Sequence, residues 1–151
     1  MVILIAHRGN TDGPNTEREN SIPYINEALE NGYHVEIDIW FVNKKWYLGH
    51  DLPQYETDIK YLQNPKFLCH AKNLEALYNM LKYDNIHCFY HKEDDYTITS
   101  KKYILTYPGK PLTDNSICVM PELYETEVPE FVYGVCTDYV ERFKSQLNFS
   151  N

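Results

Sequence analysis

Short apolar runs recur along this chain too closely for a helix in every gap, and that spacing constrains the fold more than any other feature. β-like runs occupy Val2 to Ala6, Val35 to Val42, Trp46 to Leu48, Lys66 to His70 and Ile86 to His91. Others follow at Tyr96 to Ile98, Tyr103 to Tyr107, Ile117 to Met120 and Phe131 to Cys136. Helical periodicity is confined to Asn20–Asn31, to Asn73–Tyr83 with Leu74, Leu77 and Leu81 on one face, and to the stretch near Tyr139 to Leu147. A short helical turn fits Thr57 to Leu62. Asn20 or Ser21 can cap the first helix, Pro23 suits its first turn and Gly32 can end it. The order begins β-α-β-β-α-β, which favours parallel α/β architecture. With Trp46 to Leu48 set aside as the hairpin partner of Val35–Val42, eight strand candidates suggest a barrel, yet such barrels usually run from about 200 residues upward. At 151 residues, several covering helices must be missing or reduced to turns. The weakest covering is expected at residues 92–132, where no helical period is visible.

One domain over residues 1–151 is the simplest organisation, because no repeat, linker or low-complexity tract interrupts the chain. The net charge of −8 argues against wide contact with nucleic acid or an anionic membrane, since both require a cationic footprint. It leaves room for one small anionic substrate held by a cation and a few basic side chains. No apolar run is long enough to span a bilayer, and Met1 to Ile5 reads as a strand rather than a signal core. Cys69, Cys88, Cys118 and Cys136 sit in apolar or aromatic runs without metal-ligand spacing. They read as reduced core thiols of a cytoplasmic protein.

Three short segments carry chemistry. Residues two apart on a strand face the same way, so Glu36 and Asp38 in Val35–Val42 project together. Adjacent carboxylates repel unless something positive lies between them, and a hard divalent cation is the natural partner. His7, Arg8 and Gly9 end the first strand and offer a proton-transfer group beside an anion clamp. His50 follows Gly49 after the hairpin turn Asn43-Lys44-Lys45, and Asp51 can orient its imidazole.

In this order, His7-Arg8-Gly9, Glu19-Asn20-Ser21, Glu36-Ile37-Asp38 and Gly49-His50-Asp51, the chain resembles the glycerophosphodiester phosphodiesterase family. The closing Gly134 to Tyr139 is similar to that family's last strand and turn. The resemblance implies a miniature, helix-poor TIM-type (β/α) barrel with its site at the carboxyl ends of the strands. It makes His7 and His50 the general acid/base pair, and Glu36 and Asp38 metal ligands. Arg8 and Lys72 become phosphate contacts, and Glu19 shapes the loop by the first histidine. The family carries a glutamate two residues before that lysine; here the position is His70. Either His70 is the third ligand, or Asp51, His91, Glu93 or Glu122 replaces the missing carboxylate.

The expected activity is hydrolysis of a small glycerophosphodiester-like substrate with a divalent ion (Mg, Ca, Mn or Zn). The alternatives are a lyase releasing a cyclic phosphate and a non-catalytic barrel that binds a phosphate ligand. Loops carrying Trp40, Trp46, Tyr55, Tyr90, Tyr107 and Tyr124 are expected to line the pocket. Sparse helical covering leaves apolar strand faces open, so a homodimer is expected as well.

Overall fold

The computed structural model describes residues 1–125 and 127–149. The elements are, in chain order, β1 (Ile3–His7), α1 (Ile22–Glu30), β2 (His34–Val42), β3 (Lys45–Leu48), β4 (Tyr55–Thr57), α2 (Ile59–Leu62), β5 (Phe67–Ala71), α3 (Leu74–Met80), β6 (Cys88–Phe89), β7 (Tyr96–Ile98), β8 (Ile104–Thr106), β9 (Ser116–Val119), β10 (Gly134–Thr137) and α4 (Val140–Phe149). Between 92 and 132 the described helical structure is a single 3-10 turn, Pro121–Tyr124. That stretch is where sequence periodicity offered no helix. The fold is mixed α/β, with a 10-stranded sheet.

Parallel pairing runs β6-β5-β2-β1-β10-β9-β8, and β7 adds antiparallel to β8. Strand pairing does not close the sheet. Its two ends are nevertheless joined by hydrogen bonds: Ser100 N–H donates to the Cys88 carbonyl (2.8 Å), and Cys88 N–H donates to Ser100 Oγ (2.9 Å). Thr97 Oγ1 also donates to the Tyr90 carbonyl at 3.1 Å.

β2 organises the sheet because its faces and its edges all have work. Val35, Ile37 and Ile39 are fully buried on the face covered by α1 and α3, where they pack with Ile25, Ala28, Ala76 and Met80. Burial of an aliphatic side chain of this size contributes about 1.5–3 kcal/mol. The opposite face carries His34, Glu36 and Asp38. A second apolar cluster, Ile5, Leu68, Phe89, Leu105 and Ile117, packs separately from the first. All four cysteines are free and buried.

Two details differ from the periodicity. In α3 the buried residues are Ala76 and Met80, while Leu74 and Leu81 are exposed together with Tyr78. Small Ala76 permits close approach to the sheet, so Ala76 and Met80 face the core with Leu77 packed partly buried beside them, while Leu74 and Leu81 turn outward. Trp46 belongs to the core against Phe41, not to a pocket.

The hairpin places the second motif histidine. β1 leaves the edge of β2 at Arg8, whose N–H donates to the Glu36 carbonyl at 2.9 Å. The vacated edge pairs with β3 from Ile39↔Leu48 to Val42↔Lys45. Asn43 and Lys44 both have positive φ, as a tight hairpin turn with right-handed twist requires. The return strand brings Gly49 N–H to the Asp38 carbonyl (3.1 Å). Gly49 has φ +153°, and a Cβ there would lie 2.0 Å from the Leu52 carbonyl oxygen. Gly49→Ala should therefore cost about 1–3 kcal/mol or more, measured as a lower urea midpoint. An unchanged midpoint would show that this turn relaxes freely.

Candidate metal centre and acid/base site

Parallel register gathers the motif residues into one row. His7 pairs with Glu36, and Asp38 pairs with His70, at the carboxyl ends of β1, β2 and β5. Asp138 joins them from the residue after β10. Glu36 and Asp38 are almost fully buried, at 3% and 1% exposure. Burying two carboxylates is costly unless each finds positive charge or donors.

Asp38 is held from several sides. Asn20 donates from Nδ2 to Oδ2 (2.9 Å) and accepts the Asp38 backbone N–H on Oδ1 (2.9 Å). Arg8 Nε lies 3.5 Å from Oδ2, and His70 Nδ1 lies 3.3 Å from Oδ1. Burial alone would raise the acid's pKa. The His50 and His70 contacts, the His70 charge and the Asn20 donor overcome it and hold Asp38 well below the usual carboxylate range. Asn20 is thus not the helix cap its position allowed. Ser21 occupies the cap, and Asn20 takes a left-handed conformation, φ +65°, that aims its amide at Asp38.

Glu36 is less satisfied. Its Oε1 is 3.7 Å from His70 Nδ1, and its Oε2 is buried without a hydrogen-bond partner, 3.7 Å from His7 Nε2. One ligand atom from each of Glu36, Asp38 and His70 fits within a sphere where all lie within 4.8 Å of one another. Two carboxylate oxygens and an imidazole nitrogen are a sound donor set for a divalent cation, and the orphaned Oε2 is an atom such an ion would satisfy. His70 is suitably oriented. Its Nε2 faces the His91 carbonyl at 3.2 Å, so Nε2–H donates there and Nδ1 is left towards the carboxylates. The ring stacks on Phe89 at 4.6 Å. Burial pulls the His70 pKa down, but Asp38 and Glu36 push it up to about 9.

The other third-ligand candidates lie elsewhere. Asp51 is exposed and sits 3.6 Å from His50 Nε2. The His91 ring stacks on Tyr107 and bonds to the Asp94 carbonyl; its backbone carbonyl is what reaches the site. Glu93 is exposed, and Glu122 accepts a hydrogen bond from Thr137.

His7 Nδ1 bonds to Asp138 Oδ1 at 2.8 Å, leaving Nε2 towards Glu36. Burial disfavours a charged His7. The Asp138 hydrogen bond and the charges of Glu36 and Asp138 outweigh it, and the pKa rises. Asp138 in turn accepts from Asn10 Nδ2 at 2.9 Å. Arg8 NH2 donates to His50 Nε2 (3.1 Å), so that nitrogen is the acceptor of the bond. Arg8 NH1 donates to Glu19 Oε1 (3.2 Å), and Glu19 also accepts from Asn10 and the Asn15 backbone. Lys72 follows β5 directly and its N–H donates to the Ile39 carbonyl, but its ammonium has no bond to the cluster among the described residues.

A cleft of about 210 Å³ opens beside Arg8 and His50, lined also by Thr16, Leu52 and Gln54. The aromatics expected from sequence do not line it. Trp40 instead donates from Nε1 to the Gly49 carbonyl at 2.7 Å and braces the turn before His50. Asp138, Asn20 and Asn10 are the positioning residues that motif reading passed over. Asp138 stood in the terminal Thr137-Asp138 signal, and Asn20 inside the second motif.

Asn20→Ala removes two hydrogen bonds from buried Asp38 and puts alanine at positive φ. It should cost about 2–4 kcal/mol in urea unfolding; a loss within about 0.5 kcal/mol would show that the clamp is not needed.

A scan against protein-family models finds no match to the chain, and a search of curated proteins finds none either. The site stands on its own geometry.

Proposed function

We propose that this chain is a metal-dependent phosphodiesterase of the glycerophosphodiester phosphodiesterase type, on a miniature (β/α) barrel whose sheet ends meet through residues 97–100. The observation that carries the reading is the convergence of His7, Arg8, His50 and the Glu36–Asp38–His70 cluster at one end of the parallel strands. Glu36, Asp38 and His70 would hold a divalent ion, which supplies neutralisation of the charge that develops on a phosphodiester's nonbridging oxygens.

The remaining chemistry falls to the chain's own groups. Arg8 is anchored by Glu19 and carries a second guanidinium nitrogen at the cleft, where it clamps phosphate oxygens. Lys72 stands beyond the end of β5 as a second cation for the same anion. His50 takes the proton of the attacking hydroxyl at Nε2 once Arg8, which holds that nitrogen here, turns to the phosphate. His7, whose pKa is raised by its bond to Asp138 and the charges of Glu36 and Asp138 against the effect of burial, gives its proton to the leaving alkoxide. Asp138 fixes the His7 tautomer, as a carboxylate does behind a catalytic imidazole. The attacking hydroxyl is that of water or of the substrate itself, and the latter yields a cyclic phosphate first.

His7→Ala and His50→Ala should each lower turnover of a glycerophosphodiester about 10²–10⁴-fold with the fold intact by circular dichroism. Phosphorus NMR of the products then separates a monoester from a cyclic phosphate. Near-normal turnover in either variant would remove that histidine from the proposed role. Imidazole suits manganese or zinc better than calcium. Calorimetric titration of manganese should therefore show about tenfold or greater weakening in His70→Ala, and His70→Glu should shift preference towards magnesium or calcium. Unchanged affinity and preference would place His70 outside the ligand set.

A further inference from the structure

The opposite end of the parallel strands holds a second cavity, of about 200 Å³, that the phosphodiesterase reading does not use. Its residues come from the amino-terminal ends of the strands: Ile3 begins β1, His34 begins β2, and Lys66 and His87 precede β5 and β6. Its apolar lining includes Ile5, Leu68 and Ile117, which belong to the sheet's second packed cluster. Tyr103 and Tyr133 stack on each other at 3.7 Å and form an aromatic wall.

The charge around this cavity is one-sided. Lys66, Lys101, His34 and His87 all line it, and no Asp or Glu does. Neither lysine makes a salt bridge with a carboxylate among the described residues. Burial, with the Lys101 charge beside it, lowers the His87 pKa to about 4, so that ring is neutral until an anion is bound. Tyr103 and Tyr133 are the other titratable groups at the cavity, and burial pushes Tyr133 up to about 12, so it adds no negative charge at neutral pH. Two lysines and two imidazoles that can donate hydrogen bonds therefore face the cavity without a lining carboxylate.

His87 is also held in place. Thr99 Oγ1 accepts the Tyr103 N–H (3.1 Å) and shares a hydrogen bond with His87 Nε2 at 2.7 Å. His87 Nδ1 has no hydrogen-bond partner among the described residues.

We propose that this cavity is a binding site for a small organic anion, with its apolar body on Ile5, Leu68 and Ile117 and its charged head between Lys66, Lys101, His34 and His87. The recognised chemistry is a phosphate or carboxylate head on a compact apolar or aromatic group. Such a head pairs with Lys66 and Lys101, and charge-assisted hydrogen bonds fix its place. Inorganic anions lack the body that the apolar lining would desolvate. The site is separate from the Glu36–Asp38–His70 cluster and stands whether or not that cluster is catalytic.

Phenyl phosphate is the probe, titrated into the full chain while the imidazole resonances of His34 and His87 are followed by NMR. Both should shift and saturate together, and the midpoint of His87 titration should rise with ligand bound. Lys66→Glu with Lys101→Glu changes two exposed side chains and should weaken binding about tenfold or more. Benzyl alcohol, which has the body without the charge, should not compete. The proposal is overturned if His34 and His87 do not respond, if phenyl phosphate perturbs only His7 and His50, if the double variant binds equally well, or if benzyl alcohol binds as tightly.

Discussion

Two carboxylates buried side by side on one strand set the terms for everything around them. Glu36 and Asp38 share a face of β2 and are nearly sealed from water. Like charges in such a place destabilise the fold unless the surroundings answer them. The protein answers with a guanidinium, an imidazole and an amide on Asp38, and leaves Glu36 Oε2 open. Glu36 Oε2 is thus a buried oxygen that a cation bound between Glu36, Asp38 and His70 would satisfy.

The architecture follows from where that pair lies. β2 is nine residues long and β1 is five, so β1 departs midway and frees an edge. The hairpin of β3 and β4 takes that edge and carries His50 over the carboxylates. The turn after β1 needs left-handed backbone at Arg8 and Gly9, and it swings Arg8 back across Asp38. Left-handed backbone thus occurs in both turns that deliver His50 and Arg8, at Arg8, Gly9, Asn43, Lys44 and Gly49.

Much of this was legible in the residues because the signals are local. Strand period puts Glu36 and Asp38 on one face, and the hairpin turn and the bare stretch from 92 to 132 both carry short-range chemistry. What was not legible depends on distant partners. Asp138 bonds to His7 across 131 residues, and nothing near either residue announces it. Asn20 reads as a cap from its neighbours and becomes a clamp only when β2 lies beside it. Leucine spacing in α3 indicated only part of the buried face: Leu77 packs on the core, but Ala76 and Met80 take the places expected of Leu74 and Leu81. Trp40 and Trp46 read as pocket aromatics, yet one braces a turn and the other fills the core. The cationic cavity draws its residues from strand starts spread between Ile3 and Tyr133, so no contiguous motif could mark it.

The central claim is that Glu36, Asp38 and His70 form one cation site. Crystals grown with manganese and measured for anomalous scattering test it most directly. The expected result is one peak about 2.0–2.3 Å from a Glu36 oxygen, an Asp38 oxygen and His70 Nδ1. A difference map with no peak there at saturating manganese, or with the peak at Asp51 or His91 instead, would contradict it.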